Sequence, residues 1–127
     1  MSSDLTTYSR LEPSRIAPSA SAKVSAFHAD VVRDVVRFIG EADVVVIGMA
    51  QNPHVKNVRR ALEQAGIEFR YHEYGSYFSA WKERLAIKLW AGWPTFPMVF
   101  VRGTLIGGED LTVAAIADGS LKKQLAS

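Results

Sequence analysis

The sequence predicts a mixed α/β domain: a four-stranded sheet with helices on both faces. Three observations carry this. Val44-Val45-Val46-Ile47 is a continuous β-branched run, which suits a strand buried on both faces. Asn52-Pro53 pairs a preferred N-cap with a preferred first helical residue, so a helix follows that strand directly. Met98 to Val101, a two-residue turn at Arg102-Gly103 and Thr104 to Ile106 form a hairpin pattern. A strand–helix–strand unit followed by a helix and this hairpin makes a mixed sheet, because a parallel crossover must pack its helix against the sheet.

Residues 1 to about 22 are rich in Ser, Thr, Ala and Pro without a helical or strand period, so a disordered tail is expected there, with one domain over 23–127. The tail's Arg and Ser also fit a transit peptide, but no amphipathic Arg face is visible. From Val24 the period turns helical. Val24, Phe27, Val31, Val35, Phe38 and Ile39 share one side, Lys23, Asp30, Arg33, Asp34 and Arg37 the other, and Gly40 ends the run.

After the first strand, Val55, Val58, Leu62 and Ala65 line the inner stripe of the helix opened by Asn52, and Gly66 closes it. Ile67 to Glu73 alternates apolar and polar, the mark of a half-buried strand. Gly75-Ser76 breaks it. Tyr77 to about Trp90 reads as a helix with Phe78, Trp81, Leu85 and Leu89 inward. Beyond the hairpin, Gly107-Gly108 makes a bend, Asp110 caps a last helix running to Gly119, and a short polar tail follows.

With 127 residues, 48% of them hydrophobic, the chain supports one globular domain with a proper core. A net charge of +2 is too small and too interspersed to argue for nucleic acid or a membrane surface. No window approaches a membrane span and no apolar leader core follows the N-terminus, so cytoplasm is the expected location. The chain has no cysteine, which removes disulfides, thiolate metal sites, iron–sulfur ligation and thiol nucleophiles together. His28, His54 and His72 fall in three different elements without metal-ligand spacing, so no metal is expected.

The run Trp93-Pro94-Thr95-Phe96-Pro97 followed by Gly103-Thr104-Leu105-Ile106-Gly107-Gly108-Glu109-Asp110 resembles the signature of the glutaredoxin family, its monothiol branch in particular. The resemblance extends from about residue 28 to the C-terminus. It implies a thioredoxin-like fold: a strand–helix–strand unit plus a hairpin, flanked by helices, with an extra N-terminal helix. It also implies that Pro97 is cis and that the backbone of Phe96 pairs with glutathione. Physically, Pro97 has a fixed φ and no N–H, so the backbone groups of Phe96 are not absorbed into an uninterrupted ladder.

In that family the redox cysteines sit at the start of the helix after the first strand, where the helix dipole and free N–H groups stabilise a thiolate. Here the positions are Asn52-Pro53-His54-Val55, resembling Cys-Pro-Tyr-Cys with both sulfurs replaced. An amide is no nucleophile, so Asn52 supports neither thiol–disulfide exchange nor cluster ligation. Asn52 reads as a helix cap contributing about 1 kcal/mol, Val55 as core, and the helix start as a spot open to anions. His54 reads either as a solvated residue, its cation opposing the helix dipole, or as an anion ligand when protonated.

The resemblance implies that a glutathione cradle survives. It would consist of Thr95, Phe96 and Pro97, then Gly108, Glu109 and Asp110 at the γ-glutamyl end, and Lys88 at the glycine carboxylate. Two positions depart from the family pattern. Met49 stands where a pocket lysine is usual, and Glu109 replaces a small or apolar residue and adds a negative charge. The expected function is a non-catalytic module that binds glutathione, a glutathionylated protein or an extended protein segment, with no cofactor required. One alternative is an enzyme that uses glutathione's own thiol, activated by His54, Tyr71 or Tyr74. Another is a scaffold presenting Tyr77, Trp81, Trp90 and Trp93.

Overall fold

The computed structural model describes residues 10–127. In chain order it has α1 (Pro18–Ala26), α2 (Ala29–Ile39), β1 (Val44–Gly48), α3 (Pro53–Gln64), β2 (Arg70–Glu73) and α4 (Trp81–Ala91). Then come β3 (Met98–Val101), β4 (Thr104–Gly107), α5 (Glu109–Ala117) and α6 (Ser120–Ala126). The sheet order is β2-β1-β3-β4. β1 runs parallel to β2, with Ile47 opposite His72, and antiparallel to β3, with Ile47 opposite Met98. β4 pairs antiparallel with β3 around a bulge at Val99 and Phe100. This is the mixed, thioredoxin-like sheet that the sequence predicts.

All five residues of β1 are buried because both faces of the sheet are covered. Val45 and Ile47 pack with Val35, Ile87, Met98 and Phe100, while Val44 and Val46 pack with Val58, Leu62, Val99, Val101 and Leu121. Alternation along the strand thus feeds two cores, and each fully buried Val or Ile contributes about 1.5–3 kcal/mol. α2 lies against α4 and α3 against α5. At the hairpin turn, Arg102 and Gly103 have φ of 49° and 80°, the left-handed pair that a two-residue turn requires. Arg102 then donates to the carbonyls of Gln124, Leu125 and Ser127 and so ties down α6.

Several expectations are corrected. Of the tail placed over residues 1–22, residues 1–9 lie outside the described residues, and α1 begins at Pro18, a residue pre-set for a helix's first position. The helix read from Val24 to Ile39 is broken at Phe27-His28, where His28 takes φ 46° without a Gly or Pro to announce it. Pairing of the second strand starts only at Arg70, so Ile67 to Phe69 lie outside it. The polar tail is largely the helix α6, and Leu121 of that helix is buried.

The largest correction concerns α4. It starts at Trp81 rather than Tyr77, and Phe78, Trp81, Leu85 and Leu89 face outward. Arg84, Ala86 and Ile87 are the buried side chains instead. Arg84 Nη1 donates to the carbonyls of Tyr74 (3.0 Å) and Ser79 (2.5 Å). The buried guanidinium needs acceptors, and the carbonyls of Tyr74 and Ser79 supply them, which fixes the helix's rotation. No helix among the described residues is long and apolar enough to cross a membrane.

Candidate ligand groove

Asn52 is buried and caps α3: its Oδ1 accepts from the N–H of His54 at 2.9 Å and of Val55 at 3.1 Å. The cap reading of Asn52 therefore holds, and it has a consequence for the anion spot expected there. Two N–H groups that would greet an anion are already occupied by the protein's own amide oxygen. Val55 points into the core, as does Met49.

Across from this helix start, the Phe96–Pro97 peptide is cis. The ladder with β1 begins at Met98, and the N–H and C=O of Phe96 make no hydrogen bond among the described residues. The Phe96 side chain is buried, which fixes the backbone that carries these groups. Gly107 has φ 130°, and a Cβ there would sit 2.6 Å from Leu111 Cδ1. Gly108 follows, and a Cβ on it would come within 3.3 Å of the Pro97 carbonyl oxygen and 3.6 Å of Trp93 Nε1. A Cβ there is a tight contact that the cis-proline loop must give way to by a few tenths of an ångström, and a larger side chain presses on the loop further. Trp93 Nε1 itself is buried without a partner among the described residues.

These pieces surround a groove of about 430 Å³ lined by His54, Trp93, Thr95, Phe96, Pro97, Gly108, Glu109, Asp110 and Leu111. A wider, open depression of about 1000 Å³ surrounds Val44 at the other end of β1, with charges of both signs from Glu41, Asp43, Arg59, Glu63 and Lys122. The smaller groove gathers the cis-proline loop, the glycine bend and the start of α3, so it is the candidate site.

Most of the residues anticipated for the site meet in the groove. Lys88 does not line it; its Nζ sits 5.8 Å from the centroid of the Phe96 ring, behind the loop. Asp110 is not the cap of α5. Gly108 holds that position, and Asp110 is the helix's second residue, exposed. Tyr71 is engaged elsewhere, donating to Glu73 Oε1 at 2.9 Å beneath the Arg59 guanidinium. Burial and Glu73 push its phenol well above the usual range. Burial likewise raises Tyr74. Neither phenol lines the groove.

One contact was not anticipated. His54 Nδ1 meets Glu109 Oε1 at 2.5 Å, joining the start of α3 to the start of α5 across the groove. The imidazole holds the Glu109 carboxyl below its usual range. The carboxylate that Glu109 adds beside the groove thus has a hydrogen-bond partner 55 residues away in sequence. Trp93 and Leu111 also line the groove, next in sequence to the cis-proline loop and to Asp110.

A sequence profile of the Glutaredoxin family matches residues 44–106. A glutaredoxin-like protein of Dictyostelium discoideum is 49% identical over 102 residues, covering 80% of this chain and 83% of that relative. The chain belongs to the glutaredoxin family. Among solved structures, reduced glutaredoxin C1 of Populus tremula x tremuloides matches with a TM-score of 0.70 at 24% identity, over 84% of this chain and 89% of that one. The complex of buckwheat glutaredoxin with glutathione matches with a TM-score of 0.67 at 22% identity, over 77% and 89% of the two chains. Those likenesses show the fold. This glutaredoxin-family chain has no cysteine.

Proposed function

We propose that this protein is a glutaredoxin-fold binding module, without thiol–disulfide chemistry of its own, whose groove takes glutathione or an extended peptide such as a glutathionylated segment. The observation that carries this reading is the unpaired Phe96 N–H and C=O at the rim of a groove whose other wall is glycine. An extended ligand backbone would pair with those two groups, in the manner of a strand added to an edge. Gly108 allows that backbone to come close, and the exposed carboxylate of Asp110 would hold an ammonium group; Glu109 is engaged by His54 and Lys88 lies off the groove, so neither adds a contact. When bound, glutathione would supply a thiol, which the chain itself lacks. Met49 offers no cation where the family has lysine, so binding is modest.

The test is calorimetric titration of S-methylglutathione into the purified chain. A saturable heat, weakened at least tenfold by Gly108→Val, supports the reading. No heat at millimolar ligand ends it.

The His54–Glu109 pair favours a second reading, in which a carboxylate-oriented imidazole takes the proton of glutathione's own thiol. The capped N–H groups of α3 leave that thiolate without the usual helix support, which ranks this reading second. A pH-dependent conjugation rate lost on His54→Ala supports it; no turnover with several electrophiles counts against it.

A further inference from the structure

The outer face of α4 is apolar where a solvated helix is polar. Trp81, Leu85 and Leu89 recur every four residues along it and are 60%, 37% and 51% exposed, and Tyr77 and Phe78 just before it are 57% and 91% exposed. Aromatic side chains carry about 150–250 Å² each, so these three aromatics leave roughly 400 Å² in water. The largest apolar patch of a monomer is about 300–600 Å² and is often functional, and these aromatics reach that range. A cavity of about 300 Å³ adjoins the ridge at Leu89 and Trp90, walled by Val24 and Phe27 on one side and Val32 and Ala86 on the other. α1, which supplies Val24, has no buried residue of its own, so that wall is only half covered.

Among the described residues, the charges on the ridge's flanks and on the cavity rim are positive. At 100° per residue, Lys82 and Lys88 flank the Trp81–Leu85–Leu89 ridge on its two sides, while Glu83 falls on the far side of the helix. Arg33 stands on the rim of the cavity. A second copy docked through the same ridge would bring Lys82 beside Lys82 and Lys88 beside Lys88, because an antiparallel two-fold pair puts like flanks together. Acidic flanks fit where lysine flanks do not.

We infer that the α4 ridge and its cavity seat an amphipathic helix of another protein, apolar along one face and bordered by Asp and Glu. Side chains four residues apart form the ridge that a second helix packs into, and the cavity beside Leu89 receives one large apolar side chain of that helix. This surface is separate from the groove and does not depend on what the groove binds.

The probes are two synthetic peptides of about fifteen residues, each with Leu at i, i+3, i+4 and i+7, one flanked by Glu and its twin by Lys. Each is titrated into the isotopically labelled full chain. The Glu peptide shifts the amides of residues 24–33 and 77–90 saturably and binds more weakly as salt rises; the Lys twin binds at least tenfold less tightly. Lys82→Glu narrows that gap at least threefold. Leu85→Asp abolishes binding of both peptides while leaving the fold's amide spectrum intact elsewhere. No shift with either peptide, or equal affinity for the two, overturns the inference. So does a sedimentation mass that doubles with concentration and reverts with Leu85→Asp, which assigns the ridge to a second copy.

Discussion

Replacing Asn52 by cysteine puts one sulfur back at the start of α3, and the structure fixes what that sulfur meets. Asn52 Oδ1 now accepts from the N–H of His54 at 2.9 Å and of Val55 at 3.1 Å. A neutral thiol caps poorly, so the variant loses about 1 kcal/mol, or roughly 4–8 °C in Tm for a domain near 100 residues. A thiolate at the same position inherits the two donors and the positive end of the helix. That interaction is worth about 1 kcal/mol, up to about 2 when partly buried. At 1.36 kcal/mol per pH unit it brings a thiol from about 8.5 to about 7–7.8. The assay is the absorbance of the thiolate near 240 nm against pH, with a thermal melt at pH 6 alongside. A thiol that titrates at or above 8.5 would mean that the N–H groups are not directed at the residue-52 side chain, and the account of the vacated centre would be wrong.

Other outcomes follow from single contacts. His54→Ala lets the Glu109 carboxyl rise toward its ordinary value, read by carbon-detected titration of its side chain. Because Glu109 is lowered in the folded chain, its stabilising contribution is present above the usual carboxylate range and is lost as pH falls through the lowered value; Glu109→Gln removes that acid limb. His72, stacked on Phe38 at 3.7 Å, is lowered chiefly by burial, so the unfolded chain binds the proton first and stability falls as pH drops below about 6.5. His72→Phe keeps the stack and flattens denaturation midpoints between pH 5 and 7. Arg84→Ala removes the donors to the carbonyls of Tyr74 and Ser79 and costs about 1–3 kcal/mol in urea unfolding, whereas Lys82→Ala costs under about 0.5.

Much of the fold was legible because local rules decide it. Asn52-Pro53 starts α3 by capping chemistry, Arg102-Gly103 makes the only kind of turn that joins its strands so closely, and the β-branched run at Val44 has no stable place but the sheet centre. The face of α4 is not legible in the sequence because hydrophobic size does not decide its burial; the deciding contacts are two loop carbonyls that Arg84 reaches. The break at His28 carried no sequence signal, since a histidine enters the left-handed region only when its surroundings hold it there. In the groove, the cis-proline loop and the Gly-Gly bend lie near each other in sequence and were read together. The His54–Glu109 contact joins two helix starts that only the finished sheet brings face to face.

The central claim is that a ligand groove persists beside a centre that has lost its sulfur. Its most direct test follows backbone amide shifts in the isotopically labelled chain as reduced glutathione, and separately its S-methyl analogue, is added. The account predicts saturable shifts for both, confined to residues 52–56, 95–97 and 107–110, since binding needs the Phe96 backbone and the glycine wall and not a free thiol. No shifts at millimolar concentration, or shifts scattered away from the Phe96 loop and the start of α5, would contradict it.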